Sequence, residues 1–534
     1  MLFTFFLLVW GLTGDSPFAC EGDEEYCVGP ALEMLRRGDL NPHWFAHPAS
    51  TTIYPLYFYY QFLNALVFHG TLASPSTCTE NLIFDHVYLL CYLPRYMNVM
   101  LVVCSLPLLY LIGRSIFGNR AALFALPFFS ISPLLLEYVQ VIRSEAPALF
   151  FSLLAIYLSL KLYKNPTLPL HILIGISIGL GVSSRFPMLA LMALFLVVDL
   201  GYAFKASQLR LRLKYLCYAA IGLFTVVLTF AVTTPFLFLD FRTFLHDMAV
   251  ERAAHGLGCD GLSTLGNLDF YVRDAIPRLF FPVQTVLALA GMLIALARRK
   301  YDAALLIVYF TAILVGTCLH PFHTDKWVIP NLPILALFAG YSLDVLLSLV
   351  DFLMGKVMHA EIAKYASVVI SLLLIVYLER QPFLACCVYN TIKIGTSTEP
   401  LFYQWVFGHL APGTKICVVG GVWGGGHRER FQTKDFLYDP SYFDAECSGK
   451  YVSPSDLYNQ GFKYFICSNM HYPVYQAEPA HYPRESRFFN EFFDNCKLIK
   501  ELAPDKLSVG GLFDVQQRGA TFRLYEFTPK TKMP

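Results

Sequence analysis

A succession of apolar stretches, each about as long as a bilayer is thick, limits what this chain can fold into more than any other feature. A helix needs roughly 20 apolar residues to cross the hydrocarbon core. Such stretches lie near residues 53–70, 86–112, 120–137, 145–162, 170–184, 187–203, 215–234, 277–297, 302–319, 326–345 and 365–380. Residues 1–13 are apolar but short, with no charged flank. They are either a signal-peptide core or a clipped first helix, and we take them as the second. Only 15% of the 534 residues are Asp, Glu, Lys or Arg, where a soluble domain carries about 25%. The chain therefore reads as an all-α polytopic membrane bundle of about 11–13 spans. Disorder, a secreted disulfide miniprotein and a cytosolic enzyme are excluded. A formal net charge of +1 gives no reason to expect nucleic acid as a partner.

Charge sets the register of the spans, because basic residues collect on the cytoplasmic side. Arg114 and Arg120, Lys161 and Lys164, Lys205 to Lys214, Arg298 to Lys300, and Lys356 with Lys364 occupy five separate links. Counting spans back from residue 380 puts all five on one side. The links 138–144, 185–186, 235–276 and 320–325, with everything after residue 380, then lie on the outer side. Residues 14–52 join them if residues 1–13 span outward. Parity breaks at 53–85: either one more break is hidden there, or 53–70 dips in and returns.

The expected division is a membrane domain over residues 1–380, with the first outer loop at 14–52, and a small outward α/β soluble domain over 381–534. In the latter, Lys415–Val419, Lys463–Cys467 and the alternating Thr521–Phe527 read as strands. The run Gly420-Gly-Val-Trp-Gly-Gly-Gly426 lacks the strand–GxGxxG–helix context of a nucleotide site. Cys91, Cys104, Cys217 and Cys318 sit in or at spans and are expected as small buried hydrophobes. Cys20, Cys27, Cys259, Cys417, Cys447, Cys467 and Cys496 should face outward, where disulfides can form, and Cys20 is close enough to Cys27 to pair with it.

The outer side is where ionisable groups gather. The segment Glu21-Gly-Asp-Glu-Glu-Tyr26 places four carboxylates after the first apolar run. They suit a solvated helix start, yet an acidic knot at the surface of a charge-poor membrane protein is costly unless it is used. The amphipathic turns Ala31–Arg37 and the aromatic Trp44 and Phe45 suit an interfacial helix holding carboxylates over the bundle mouth. Arg143 and Glu145 form either a local ion pair or a headgroup contact. Arg185 either snorkels or binds phosphate. Asp240 and His255 belong to the long outer link, and His320, His323, Asp325 and Lys326 to the densest short one. Pro321 constrains any metal site built from His320, His323 and Asp325. No ligand set argues for a metal, so no cofactor is expected and a divalent ion stays open. Lys326 reads as an anion contact or a snorkelling head. Cations for a phosphate leaving group and a carboxylate for an acceptor proton are what a lipid-linked sugar donor needs.

These residues carry a resemblance. Asp23-Glu24, Ala31-Leu32, Met34-Leu35, Gly38-Asp-Leu-Asn-Pro-His-Trp-Phe45 and His47-Pro48 resemble the first outer loop of integral membrane glycosyltransferases with the GT-C fold. The similar proteins are relatives of the dolichyl-phosphate-mannose protein mannosyltransferases and of the lipid A aminoarabinose transferase. The resemblance continues at Arg95, Gly113-Arg114, Phe117-Gly118, Arg143 with Glu145, Gly181 to Arg185 and Thr234 to Asp240. It extends to Lys326 to Pro333 and to Phe402 to Ile416, and so covers nearly the whole chain. It implies Asp23 as the catalytic carboxylate with Glu24 beside it, and the outer-face reading above puts Arg143, Arg185 and Lys326 on the donor phosphate. It also implies a polyprenyl-phosphate sugar as donor, membrane lipid as surroundings and inversion at the anomeric carbon. Glu145 stands where the family often has Asp, and Lys326-Trp327 where it often has Arg-Tyr.

The acceptor is a glycan, a lipid or a protein hydroxyl. No Asn-x-Ser/Thr triplet occurs with x other than Pro, which favours a bacterial inner membrane with a periplasmic site over the endoplasmic reticulum. The rival class is a multi-span transporter or flippase of a lipid-linked or anionic substrate. Transporters place ionisable groups near the midplane in matching halves, whereas here the polar groups sit on the rim.

Overall fold

The computed structural model describes residues 1–13, 24–74, 86–255, 263–320, 323–356, 359–395 and 397–419, and in the C-terminal region 431–435, 454–469, 472–477, 479–480, 483–509, 513–516 and 519–527. Each apolar stretch named above is helical. Among the described residues, seven helices are long and apolar enough to cross a membrane. They are Tyr88–Ile116, Glu145–Lys164, Phe186–Lys205, Leu209–Thr233, Tyr301–Cys318, Asp325–Met354 and a last one beginning at Tyr365. Two helix pairs add one span each if each pair crosses as a unit. Asn119–Ser130 with Pro133–Val139 bends by 62°, and Thr264–Leu279 with Pro282–Ala297 by 107°. Both breaks fall just before a proline, which lacks the N–H that would continue the ladder. The protein is an integral membrane protein.

The span count is therefore seven to nine among the described residues rather than about 11–13. Ser50–Leu66 and Leu168–Ser184 have 17 residues each. At 1.5 Å per residue that is about 26 Å, short of the ~30 Å core. Leu168–Ser184 is apolar enough and falls out on length alone.

The basic links do converge at one end of the bundle. Lys300 Nζ donates to the Ile116 carbonyl at 3.0 Å, and Lys164 Nζ to the Ser115 carbonyl at 3.4 Å. Arg120 pairs with Asp344 and Asp351. Cys91 and Cys318 are buried, but Cys104 and Cys217 are exposed. Those two point away from neighbouring helices, where lipid tails can surround them, which corrects the expectation of burial. The expected pairing of Cys20 with Cys27 lies outside the described residues, as does the glycine run 420–426.

One apolar core runs through the bundle. A second, smaller one joins the first-loop helix Glu25–Arg37 to Ser50–Leu66 through Val28, Leu32, Leu56 and Tyr60. Past the last span, five strands form a mixed sheet in the order β2-β1-β3-β7-β4. Its strands are β1 Lys415–Val419, β2 Gln432–Asp435, β3 Tyr464–Ser468, β4 Cys496–Leu502 and β7 Phe522–Phe527. β1 is parallel to β2 and β3, and β7 antiparallel to β3 and β4. Helix Thr398–His409 covers one face through Phe402 and Val406. Helix Pro483–Asn495 covers the other through Phe488, Phe489 and Phe492. Strands buried on both faces are short continuous apolar runs, which is why β1 and β3 stand out in the sequence, whereas β7 stands out by its alternation. The hairpin β5 Lys506–Val509 and β6 Phe513–Gln516 packs on the long helix Ala360–Ile394.

Candidate functional site

The site begins where helix Glu145–Lys164 starts. Glu145 in the first turn and Lys161 and Lys164 in the last follow the helix dipole. The Glu145 carboxylate also serves two arginines. Arg143 donates from Nε at 3.1 Å and from Nη2 at 3.0 Å, a bidentate fork. Arg185 donates from Nη1 to the same carboxylate. The Glu145 side chain is 3% exposed, and Arg143 and Arg185 are 12% and 13%.

Arg185 reaches this point because its helix lies unusually close to a neighbour. Leu168–Ser184 packs on Leu209–Thr233 through Gly175, Gly179 and Gly222. A Cβ on Gly175 would sit 2.6 Å from the Gly222 carbonyl oxygen, and one on Gly179 2.6 Å from Thr229 Cβ. Small residues at this spacing let membrane helices touch backbone to backbone. The spacing Gly175-x-x-x-Gly179 was available in the sequence and is the signal our reading missed.

Lys326 opens the span Asp325–Met354 and meets Glu145 and Arg185 across a cavity. The cavity is small and partly open to solvent, and its remaining walls are apolar, including Leu149, Met188, Trp327 and Pro330. Asp325 turns elsewhere: it accepts from Tyr138 at 3.0 Å and from Arg278 at 2.6 Å. Arg143 stacks over the Tyr138 ring at 5.1 Å, so Asp325 is tied to the rim of the same site. His320 lies edge-on to Trp327 and His323 against Phe270. The three residues weighed as a metal set thus have separate surroundings. Among the described residues, no group of three or more His, Cys, Asp and Glu is placed to hold a metal ion.

Glu24 is fully buried with Arg95. Arg95 donates to its two oxygens at 2.7 Å each and to the Leu12 carbonyl at 2.7 Å. The Ile142 N–H donates to Glu24 at 2.7 Å. This carboxylate ties Glu24 to Arg95 and to Ile142, the latter next to Arg143, and Arg95 in turn holds Leu12. Asp23, its neighbour in sequence, lies outside the described residues. Arg95 is the functional residue that composition hides, being a lone charge inside an apolar run.

The rest of the loop is tied to the long outer link. Helix Glu25–Arg37 ends at Gly38, whose φ of +67° suits a glycine C-cap. The turn that follows sends Asn41 Nδ2 to Asp240 at 2.9 Å and the Phe45 N–H to Asp247 at 2.8 Å. His43 stands 3.2 Å from Asp39 and 3.8 Å from Asp240. Hydrogen bonds from Asn41 and Thr243 hold the Asp240 carboxyl below the usual carboxylate range. Asp240 is thus a loop tie. His255 ends helix Phe241–His255, and its side chain lies outside what is described.

Comparison with known proteins agrees with this layout. The sequence matches the dolichyl-phosphate-mannose-protein mannosyltransferase family over residues 92–231. No curated protein sequence is significantly similar to it. Among solved structures it is similar to ArnT from Cupriavidus metallidurans bound to undecaprenyl phosphate. There the TM-score is 0.54 at 13% identity, over 100% of this chain and 99% of that one. It is also similar to the Archaeoglobus fulgidus oligosaccharyltransferase, with a TM-score of 0.51 at 12% identity, over 93% of this chain and 73% of that one. By its fold the chain is a polytopic membrane protein like these two, and over residues 92–231 it resembles the dolichyl-phosphate-mannose-protein mannosyltransferases.

Proposed function

We propose that the chain is a GT-C glycosyltransferase that moves a sugar from a polyprenyl-phosphate donor to an acceptor hydroxyl at the outer face of the membrane, inverting the anomeric carbon. The observation that carries this is one cavity, apolar-walled, where Glu145, Arg185 and Lys326 meet at the rim of the bundle. Cations in a poorly hydrated pocket grip a phosphate far better than they do in water. The apolar walls suit the first isoprene units. The likeness to ArnT with bound undecaprenyl phosphate supports the same donor class.

In this reading Arg143, Arg185 and Lys326 neutralise the phosphate as it leaves. Asp23 takes the proton of the attacking hydroxyl. Glu24, locked on Arg95, is a positioning residue for this part of the chain. Residues 1–380 form the catalytic membrane domain and 381–534 an outward domain. The site faces the periplasm of a bacterial inner membrane.

The test is transfer of labelled sugar from a panel of polyprenyl-phosphate sugars to an envelope extract, with purified protein in lipid. We expect Asp23→Asn to lower transfer by roughly 10²–10⁴-fold, the range for a lost general base, with assembly intact. Near-normal transfer by that variant removes Asp23 from the mechanism.

A further inference from the structure

Two mostly buried guanidinium groups share the Glu145 carboxylate, and Glu145, Arg185 and Lys326 line one cavity. A site meant only to grip phosphate has no use for an internal anion there. We propose that Glu145 is a resident counter-ion that weakens the grip of Arg143, Arg185 and Lys326 enough for the spent lipid phosphate to leave. The inference rests on the donor-phosphate reading above.

The chemistry explains the need. The acceptor oxygen forms its bond to the anomeric carbon, and the bond from that carbon to the phosphate oxygen breaks. The bonding pair stays on the phosphate, and the acceptor proton passes to a carboxylate. The phosphodiester donor carries one negative charge. The monoester left behind carries about 1.5–2 at pH 7. Coulomb attraction scales with that charge. A cationic site therefore holds its product more tightly than its substrate, and turnover stalls at release. A fixed carboxylate among the cations opposes the monoester about twice as strongly as the diester.

Binding of two non-reacting probes tests this on the full chain in nanodiscs. Farnesyl phosphate and farnesyl methyl phosphate share a tail and differ in phosphate charge. Glu145→Gln should tighten the monoester about tenfold and the diester about threefold. The gap should close as pH falls below about 6, where the monoester becomes singly charged. Glu145→Asp should keep the parental ratio of the two affinities. Arg143→Gln combined with Glu145→Gln removes one charge of each sign and should also restore that ratio. This pair keeps the test valid if the single Gln variant does not fold. Equal tightening of both probes, weakening of both, or no change overturns the inference. So does a double variant that keeps the altered ratio. Arg185→Ala and Lys326→Ala judge the underlying reading separately. If both bind both probes as the parent does, the phosphate site lies elsewhere, whatever Glu145→Gln does. If they weaken binding while Glu145→Gln leaves the ratio unmoved, only the counter-ion role is lost.

Discussion

Arg95 shows how much a membrane protein can rest on one charged residue. Its guanidinium is fully buried, and its described partners are Glu24, the Leu12 carbonyl and the face of Tyr92 at 4.7 Å. Removing one member of a buried pair strands the other charge and costs about 3–5 kcal/mol. Replacing both with apolar groups of similar volume is often neutral. We expect Glu24→Leu alone and Arg95→Met alone each to cause a large loss of thermal stability in detergent. The double variant should regain most of it while transfer stays low, because the acidic loop is no longer held in register. A double variant as unstable as the singles would show that the hydrogen bonds to Leu12 and Ile142, not charge pairing, dominate. None of this geometry is legible in the sequence. Arg95 and Glu24 are 71 residues apart, and hydropathy treats Arg95 as an interruption in a span. By contrast Glu145, Arg185 and Lys326 were each readable as outer-rim groups. They flank apolar runs whose ends a bilayer must place at the same level.

Among elements, the glycine-lined contact between Leu168–Ser184 and Leu209–Thr233 aims Arg185 at the cavity. A valine at Gly179 has no room, with Thr229 Cβ at 2.6 Å from the first added carbon and the Val226 carbonyl oxygen at 2.9 Å. Such overpacking costs about 1–3 kcal/mol, and here relief comes only by pushing the helices away from each other. We expect Gly179→Val to weaken farnesyl phosphate binding several-fold, and Gly179→Ala to do so less, read by the same nanodisc assay. Unchanged binding in both would mean that Arg185 is placed by its contact with Glu145 alone. The membrane helices were legible because their apolar runs are long, whereas Phe241–His255, Thr398–His409 and Pro483–Asn495 were not, since none carries such a run. Helix bending was not. The 62° and 107° breaks depend on what packs beside Pro133 and Pro282, and proline marks only where a bend is cheap. The covered strands β1 and β3 were visible as apolar runs, and β7 as an alternating one. The polar β2, β4, β5 and β6 were not, since their sequences lack such a run.

On the scale of the whole molecule, a membrane bundle is followed by a sheet of different chemistry, and the turn before β7 shows how the sheet keeps its covering helix. Gly519, at φ +104°, lets its turn pass Thr398, whose hydroxyl donates to the Ala520 carbonyl at 2.8 Å. A Cβ at Gly519 would fall on that hydroxyl. We expect Gly519→Val to loosen the sheet from helix Thr398–His409. Limited proteolysis should then cleave the C-terminal domain sooner, with the thermal transition of the membrane domain unmoved. Equal protease resistance would show that the hairpin on Ala360–Ile394 suffices to hold the sheet. The three-cornered anchor at Arg95 has a consequence for biosynthesis. Leu12 and Glu24 leave the ribosome long before Arg95, and Ile142 well after it. Glu24 therefore meets Arg95 first, and its last bond, from the Ile142 N–H, waits until the chain past residue 142 has been inserted. A nascent chain stopped before that point leaves the buried Glu24 carboxylate one donor short. Completion of this anchor is thus coupled to integration of the spans around it.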